Sequence, residues 1–117
     1  MGWWLAEFET SLTSLADGSR AVYRRDLLAF VDWAEGEGAS DPSSIGRPQL
    51  RRYLADQAAR GLAPRTVRRK VSALRRYFDW LVTSGRLDAD PTRGLATPRG
   101  AARLPRVLRA DELTVLL

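Results

Sequence analysis

Apolar residues recur at spacings of three and four along most of the chain, and no convincing strand pattern interrupts them. Trp3 to Ala16 carries Leu5, Phe8, Leu12 and Leu15 as a single stripe, which predicts a first helix. Asp17-Gly18 then reads as a turn. Ser19 suits the N-cap of a second helix, because its hydroxyl accepts an exposed backbone N–H. Tyr23, Leu27, Phe30, Val31 and Ala34 share a face through to Glu35, and Gly36 and Gly38 end the pattern. Residues 39–47 read as a loop. Pro48 favours a first helical turn, and Leu50, Tyr53, Leu54 and Ala58 form the third stripe up to Gly61, a C′ glycine.

The fourth segment, Pro64 to Gly85, has the clearest division. At about 100° per residue, Val67, Val71, Leu74, Phe78 and Leu81 fall within about 80° of one another. Arg65, Arg68, Arg69, Ser72, Arg75, Arg76 and Asp79 occupy the opposite side, within about 120°. Lys70 lies at the border, where its stem can rest on apolar surface. One face is core and the other is almost wholly cationic.

Beyond Arg86 the periodicity stops. Pro91, Gly94, Pro98, Gly100 and Pro105 punctuate a basic stretch with Arg93, Arg99, Arg103, Arg106 and Arg109. Ala110 to Leu117 begins a new helical pattern, with Leu113, Leu116 and Leu117 having nothing to pack on. The expected organisation is a helical domain over 1–86, a basic interdomain linker over 87–110, and the first residues of a truncated second domain over 111–117.

Composition narrows the chemistry. The 117 residues contain no Cys and no His, which excludes disulfides, Cys/His zinc sites and Ser-His or Cys-His catalysis. No apolar run approaches the roughly 18 residues that a membrane span needs, and no signal peptide is visible, so a cytoplasmic protein is expected. The net charge of +5 hides two opposed parts. Residues 1–41 set eight acids against three arginines, a net −5. Residues 42–110 set sixteen cations against four acids, a net +12. Between Arg60 and Arg76 there are seven cations and no acid. Solvated helix faces usually mix their signs, so this asymmetry points to a polyanionic partner.

Candidate contacts follow from this distribution. A cationic helix fits the major groove of duplex DNA, and arginine pairs two-pronged with phosphate or the guanine edge. Arg65, Arg68 and Arg76 on the fourth segment, and Arg24 in the first turns of the second, come from the charge pattern. Cations near a helix N-terminus conflict with its dipole, which suggests that Arg20, Arg24 and Arg25 serve something outside their helix. Trp33 and Trp80 border apolar stripes, which favours packing over base stacking. Trp3 and Trp4, at the start of the chain, are expected to staple the first helix onto the bundle. Asp88 and Asp90 make a polar turn, since no third carboxylate stands at a metal-binding spacing. Gly36-Glu37-Gly38 lacks the strand and the further glycine of a phosphate loop. Tyr23, Tyr53 and Tyr77 lie on or beside apolar stripes and make poor nucleophiles. No cofactor, metal or catalytic residue is expected.

Four stretches taken together resemble a known family. They are Ser19-x-x-x-Tyr23-x-x-x-Leu27, Thr66-Val-Arg-Arg69-Lys70-Val-Ser72-Ala-Leu-Arg75, Phe78-Asp-Trp80-Leu-Val with Gly85, and Asp90-Pro91 leading through Pro98-Arg99 and Leu104-Pro105-Arg106 to Ala110-Asp111-Glu112. In this order they resemble the N-terminal core-binding, SAM-like domain of tyrosine site-specific recombinases, closest to the bacterial Xer proteins on the XerC side. Ala63 departs from a common serine cap, and Asp90 from a common asparagine.

The resemblance implies an all-α, four-helix domain that clamps one side of a double-stranded DNA half-site. It implies a linker to a catalytic domain beyond residue 117, which breaks and rejoins DNA through a tyrosine. It also implies other recombinase subunits, a XerD-like partner or further copies of the chain, in a tetramer that resolves chromosome dimers. Carried over by position, Ser19, Arg25, Thr66, Arg69, Lys70, Ser72 and Arg75 are the DNA contacts. No small-molecule substrate and no membrane enter this picture. The alternatives are a phage or mobile-element integrase that shares the clamp, a basic helical module for an acidic protein partner, and a free-standing transcriptional regulator.

Overall fold

The computed structural model describes residues 2–95. Four α-helices follow one another: α1 (Leu5–Ser11), α2 (Asp17–Gly36), α3 (Arg47–Ala59) and α4 (Pro64–Thr83). A single 3₁₀ turn, Pro42–Ser44, interrupts the loop between α2 and α3. No strand occurs among the described residues. The fold class is therefore all-α, as the periodicity predicts.

Two boundaries differ from the sequence expectation. α1 ends at Ser11 instead of continuing to Ala16. The Thr10 and Ser11 hydroxyls turn back onto the carbonyls of Ala6 and Phe8, a pattern that weakens helix continuation. Leu12 leaves the helical conformation but remains buried. α2 starts at Asp17, not after Ser19. Ala16 is the extended N-cap residue, and the Arg20 amide donates to the Ala16 carbonyl at 3.0 Å. The Asp17 carboxylate complements the helix dipole from the first turn and pairs with Arg20. Ser19 is thus an exposed first-turn residue and not the cap.

α4 supplies the centre of the core. Val67, Val71, Ala73, Leu74, Tyr77, Phe78 and Leu81 are all buried, and α4 packs on both α2 and α3. Around Phe30 of α2 gather the rings of Trp3, Trp33, Tyr53 and Phe78, at centroid distances of 6.2, 6.3, 5.1 and 6.4 Å. Such edge-on and offset arrangements match the quadrupoles of the rings. On α3, Gln57 is buried and Ala58 is exposed, the reverse of the expected stripe. Helical rotation explains it: Gln57 lies about 20° from Leu50, and Ala58 about 80°.

Glycines end the two long helices as predicted. At Gly85 (φ 81) the Gly85 amide donates to Val82 and the Arg86 amide to Leu81, a Schellman closure that satisfies the last carbonyls. Gly38 closes α2 in the same way. The chain then runs back onto the helices. The Asp90 carboxylate accepts from the Thr92 amide and hydroxyl at 2.8 and 2.6 Å, and Leu95 is 5% exposed within the core cluster. Residues 87–95, the start of the segment assigned to the linker, are therefore folded against the domain. Arg99, Arg103, Arg106, Arg109 and the helix expected over 111–117 lie outside the described residues.

Candidate nucleic-acid interface

The burial of one α4 face dictates what the other presents. Arg65, Arg68, Ser72, Arg75, Arg76 and Asp79 are all exposed. No acid stands in the first turn of α4, so Arg65 and Arg68 add to the positive end of its dipole. Neither has a carboxylate partner among the described residues. Thr66 is half-buried between them and the core. Arg76 reaches across to α2, with its guanidinium 5.8 Å from the centre of the Tyr23 ring.

Arg69 and Lys70 are held differently. Asp26 of α2 is buried, its side chain 3% exposed. It accepts from Arg69 Nε at 2.9 Å and from Arg69 Nη2 at 2.8 Å. Lys70 Nζ stands 3.7 Å from the same carboxylate and is itself 12% exposed. The hydrogen bond to Asp26 pushes the Arg69 guanidinium above its ordinary range, against a smaller opposing effect of burial. The two cations thus neutralise a buried acid between α2 and α4. Arg69 remains 39% exposed and keeps donors turned to solvent.

Asp26 is the residue that pattern reading misses. Its signal was present: it stands three residues after Tyr23 and four before Phe30, inside an apolar stripe. An acid at such a position is buried, and a buried charge requires a partner.

On α2, Arg20 pairs with Asp17, and Arg24 Nη1 lies 2.5 Å from Glu9 of α1. These internal partners offset the conflict with the helix dipole at both positions. Arg25 is exposed and has no carboxylate partner among the described residues. Arg75 donates to the Leu95 carbonyl at 2.6 Å. The structure therefore brings Arg65, Arg68, Arg69, Ser72, Arg75 and Arg76 to one side of α4. It fastens Arg69, Lys70 and Arg75 to the protein itself.

The aromatic residues serve packing. Trp3 is buried and donates to Glu35 at 3.1 Å, and the Tyr77 hydroxyl donates to the Trp3 carbonyl at 2.6 Å. Trp33 packs beside Phe30 and Tyr53, and Trp80 beside Phe8. Burial pushes Tyr77 well above the ordinary phenol range, and burial, with Asp26 second, pushes Tyr53 up to about 12. Among the described residues, no group of acids could hold a metal ion. No described helix is long and apolar enough to cross a membrane.

The family model of the phage integrase N-terminal SAM-like domain matches residues 6–85, from the first turn of α1 to the glycine that closes α4. The chain belongs to that family. Among curated relatives of this SAM-like domain, the tyrosine recombinase XerC of Xanthomonas campestris pv. campestris (strain B100) is 39% identical over 96 residues. That alignment takes in 82% of this chain and 30% of the relative. XerC of Xylella fastidiosa (strain 9a5c) is 36% identical over 91 residues, covering 78% of this chain and 31% of the relative. XerC of Chromohalobacter salexigens is 41% identical over 96 residues, covering 82% and 32%. The SAM-like domain and its flanks thus span about 30% of the length of these relatives. No solved structure matches the chain.

Proposed function

We propose that this SAM-like domain binds double-stranded DNA as the clamp half of a Xer-type tyrosine recombinase. The exposed cationic face of α4 carries the reading, because Arg65 and Arg68 have no carboxylate partner among the described residues and lie toward the positive end of a long helix with one face buried. Such a helix fits the major groove and offers rigid, two-pronged donors to phosphate. Arg65, Arg68, Ser72 and Arg76 are the leading contacts. Arg69 and Lys70 join them from the edge, where Asp26 fixes their geometry. Thr66 and Arg75 flank this set, and Ser19, Arg24 and Arg25 extend it onto α2.

The relatives' name supplies the larger setting. In this reading the domain grips one half-site, and a catalytic domain elsewhere in the parent recombinase performs the breakage and rejoining. The partners are further recombinase subunits, XerD-like or copies of this chain, assembled on DNA to resolve chromosome dimers in the cytoplasm. The residues described here bind DNA without cutting it. The XerC relatives favour this setting over a mobile-element integrase.

The test is binding of the chain to a fluorescent duplex across a series of salt concentrations. Neutralising about five phosphates gives a log–log slope of about −4 to −5. A slope near zero, or tighter binding to an acidic protein than to duplex DNA at equal charge density, overturns the proposal in favour of a protein-interaction module.

A further inference from the structure

We propose that Arg47 and Arg75 are positioning residues that clasp the segment Asp90–Leu95 onto the helical domain. The two arginines come from different helices, the start of α3 and the middle of α4. Their guanidiniums converge on backbone carbonyls two residues apart. Arg47 Nη2 donates to the Arg93 carbonyl at 2.6 Å, and Arg75 Nη2 donates to the Leu95 carbonyl at 2.6 Å.

The sequence offers Arg75 a nearer partner. Asp79 lies four residues further along the same helix, at the spacing of a helical ion pair. The guanidinium instead takes the Leu95 carbonyl. An ionised donor on a carbonyl outside regular secondary structure makes a hydrogen bond about twice as strong as a neutral one.

The turn between the two anchors is built for this path. Gly94 has φ 77, a conformation that strains any other residue. A Cβ at Gly94 would stand 3.7 Å from Arg47 Nη2, so the backbone passes close to the guanidinium. On one side Asp90 caps Thr92 through its amide and hydroxyl, and on the other Leu95 inserts into the core. The Asp90 cap thus shapes the turn locally, Leu95 anchors it in the core, and the arginines hold the Arg93 and Leu95 carbonyls. The clasp stands on these contacts alone and does not rest on the DNA-binding reading of the α4 face.

Amide hydrogen exchange of the 117-residue chain, read residue by residue by NMR, tests the clasp. The Arg93 and Leu95 amides report on it directly, since they bond to the Asp90 and Thr92 carbonyls inside the turn. Arg75→Ala and Arg47→Ala each speed exchange at these amides on the order of tenfold, while amides in the middle of α4 keep their protection. Arg75→Lys, which retains a cationic donor, restores part of the protection. Arg68→Ala, at an exposed position away from the clasp, changes neither set. Unchanged exchange at Arg93 and Leu95 in either alanine variant overturns the proposal, as does an acceleration that spreads equally through α4.

Discussion

Asp26 and Arg69 meet through two hydrogen bonds of 2.8 and 2.9 Å across the contact between the two longest helices. The acid is buried and the guanidinium is partly exposed, so the pair joins the core to the cationic face. Removing one partner of such a pair costs more than the pair contributes, because a buried charge is left uncompensated. Arg69→Ala leaves the buried Asp26 with Lys70, 3.7 Å away, as its one remaining cation among the described residues, and should cost about 2–3 kcal/mol of stability. Asp26→Ala removes the buried charge and leaves a guanidinium that solvent reaches, so it should cost less, about 1–2 kcal/mol. Urea titration of both variants checks the order. A larger loss in Asp26→Ala would mean that Lys70 compensates the acid when Arg69 is gone.

The two fully buried tyrosines should respond oppositely to loss of their hydroxyls. Tyr53 has no partner for its hydroxyl among the described residues, whereas Tyr77 donates to Trp3. An unpaired buried hydroxyl is costly, and a paired one contributes about 1 kcal/mol. Tyr53→Phe should raise stability by about 1 kcal/mol, and Tyr77→Phe should lower it by about as much. Thermal melts at neutral pH separate the two, and a loss in Tyr53→Phe would show that its hydroxyl is satisfied in solution.

The same tyrosines set an alkaline limit. Tyr53 is pushed from 10.0 up to about 12, and Tyr77 is also raised by burial. Their pKa values are higher folded than unfolded, so between them the folded state holds more protons than the unfolded state. The contribution of the neutral phenols is complete below about pH 10 and is lost as pH rises toward 12. Urea midpoints measured from about pH 9 to 12 should fall across this window. Tyr77→Phe should flatten the fall, and a midpoint independent of pH would refute the assignment.

Arg65 and Arg68 separate binding from folding. Each is exposed, so Arg65→Ala and Arg68→Ala should leave the melting temperature within about 3 °C, as surface substitutions do. Each should weaken duplex binding and reduce the salt slope by about 1 if the arginine neutralises a phosphate. Anisotropy titrations at several salt concentrations read both quantities. Full affinity in the double variant would remove these arginines from the interface.

Arg86 lies 4.5 Å from the Trp80 ring centre and 5.7 Å from that of Trp4. It ties the residue before α1 to the end of α4. Arg86→Ala should cost about 1 kcal/mol and change tryptophan emission. Arg86→Lys should recover less than half of the loss, because an ammonium lacks the flat face that stacks on indole. Complete recovery by lysine would mean that charge alone matters.

Helix periodicity is a local property, and the local features were legible in the sequence. The apolar stripe of α4 is buried at every position that the 3.6-residue turn assigned to it. The closing glycines Gly38, Gly61 and Gly85 all adopt positive φ, because a reversal of the chain after a helix needs that conformation. The exposed arginines of α4 followed from the same rotation. The early end of α1 was not legible, because hydroxyls that bond back to the helix compete on nearly equal terms with its continuation. Nor were the partners of the charges. Asp26 stood visibly inside an apolar stripe, but any of Arg65, Arg68, Arg69 and Lys70 was available to neutralise it. The packing of α2 on α4 chose the pair 43 residues apart. In the same way the return of residues 87–95 onto the domain turned Arg47 and Arg75 toward backbone carbonyls. The rise and rotation of a helix determine which side chains share a face, whereas the meeting of two faces depends on how whole helices pack, which only the tertiary structure decides.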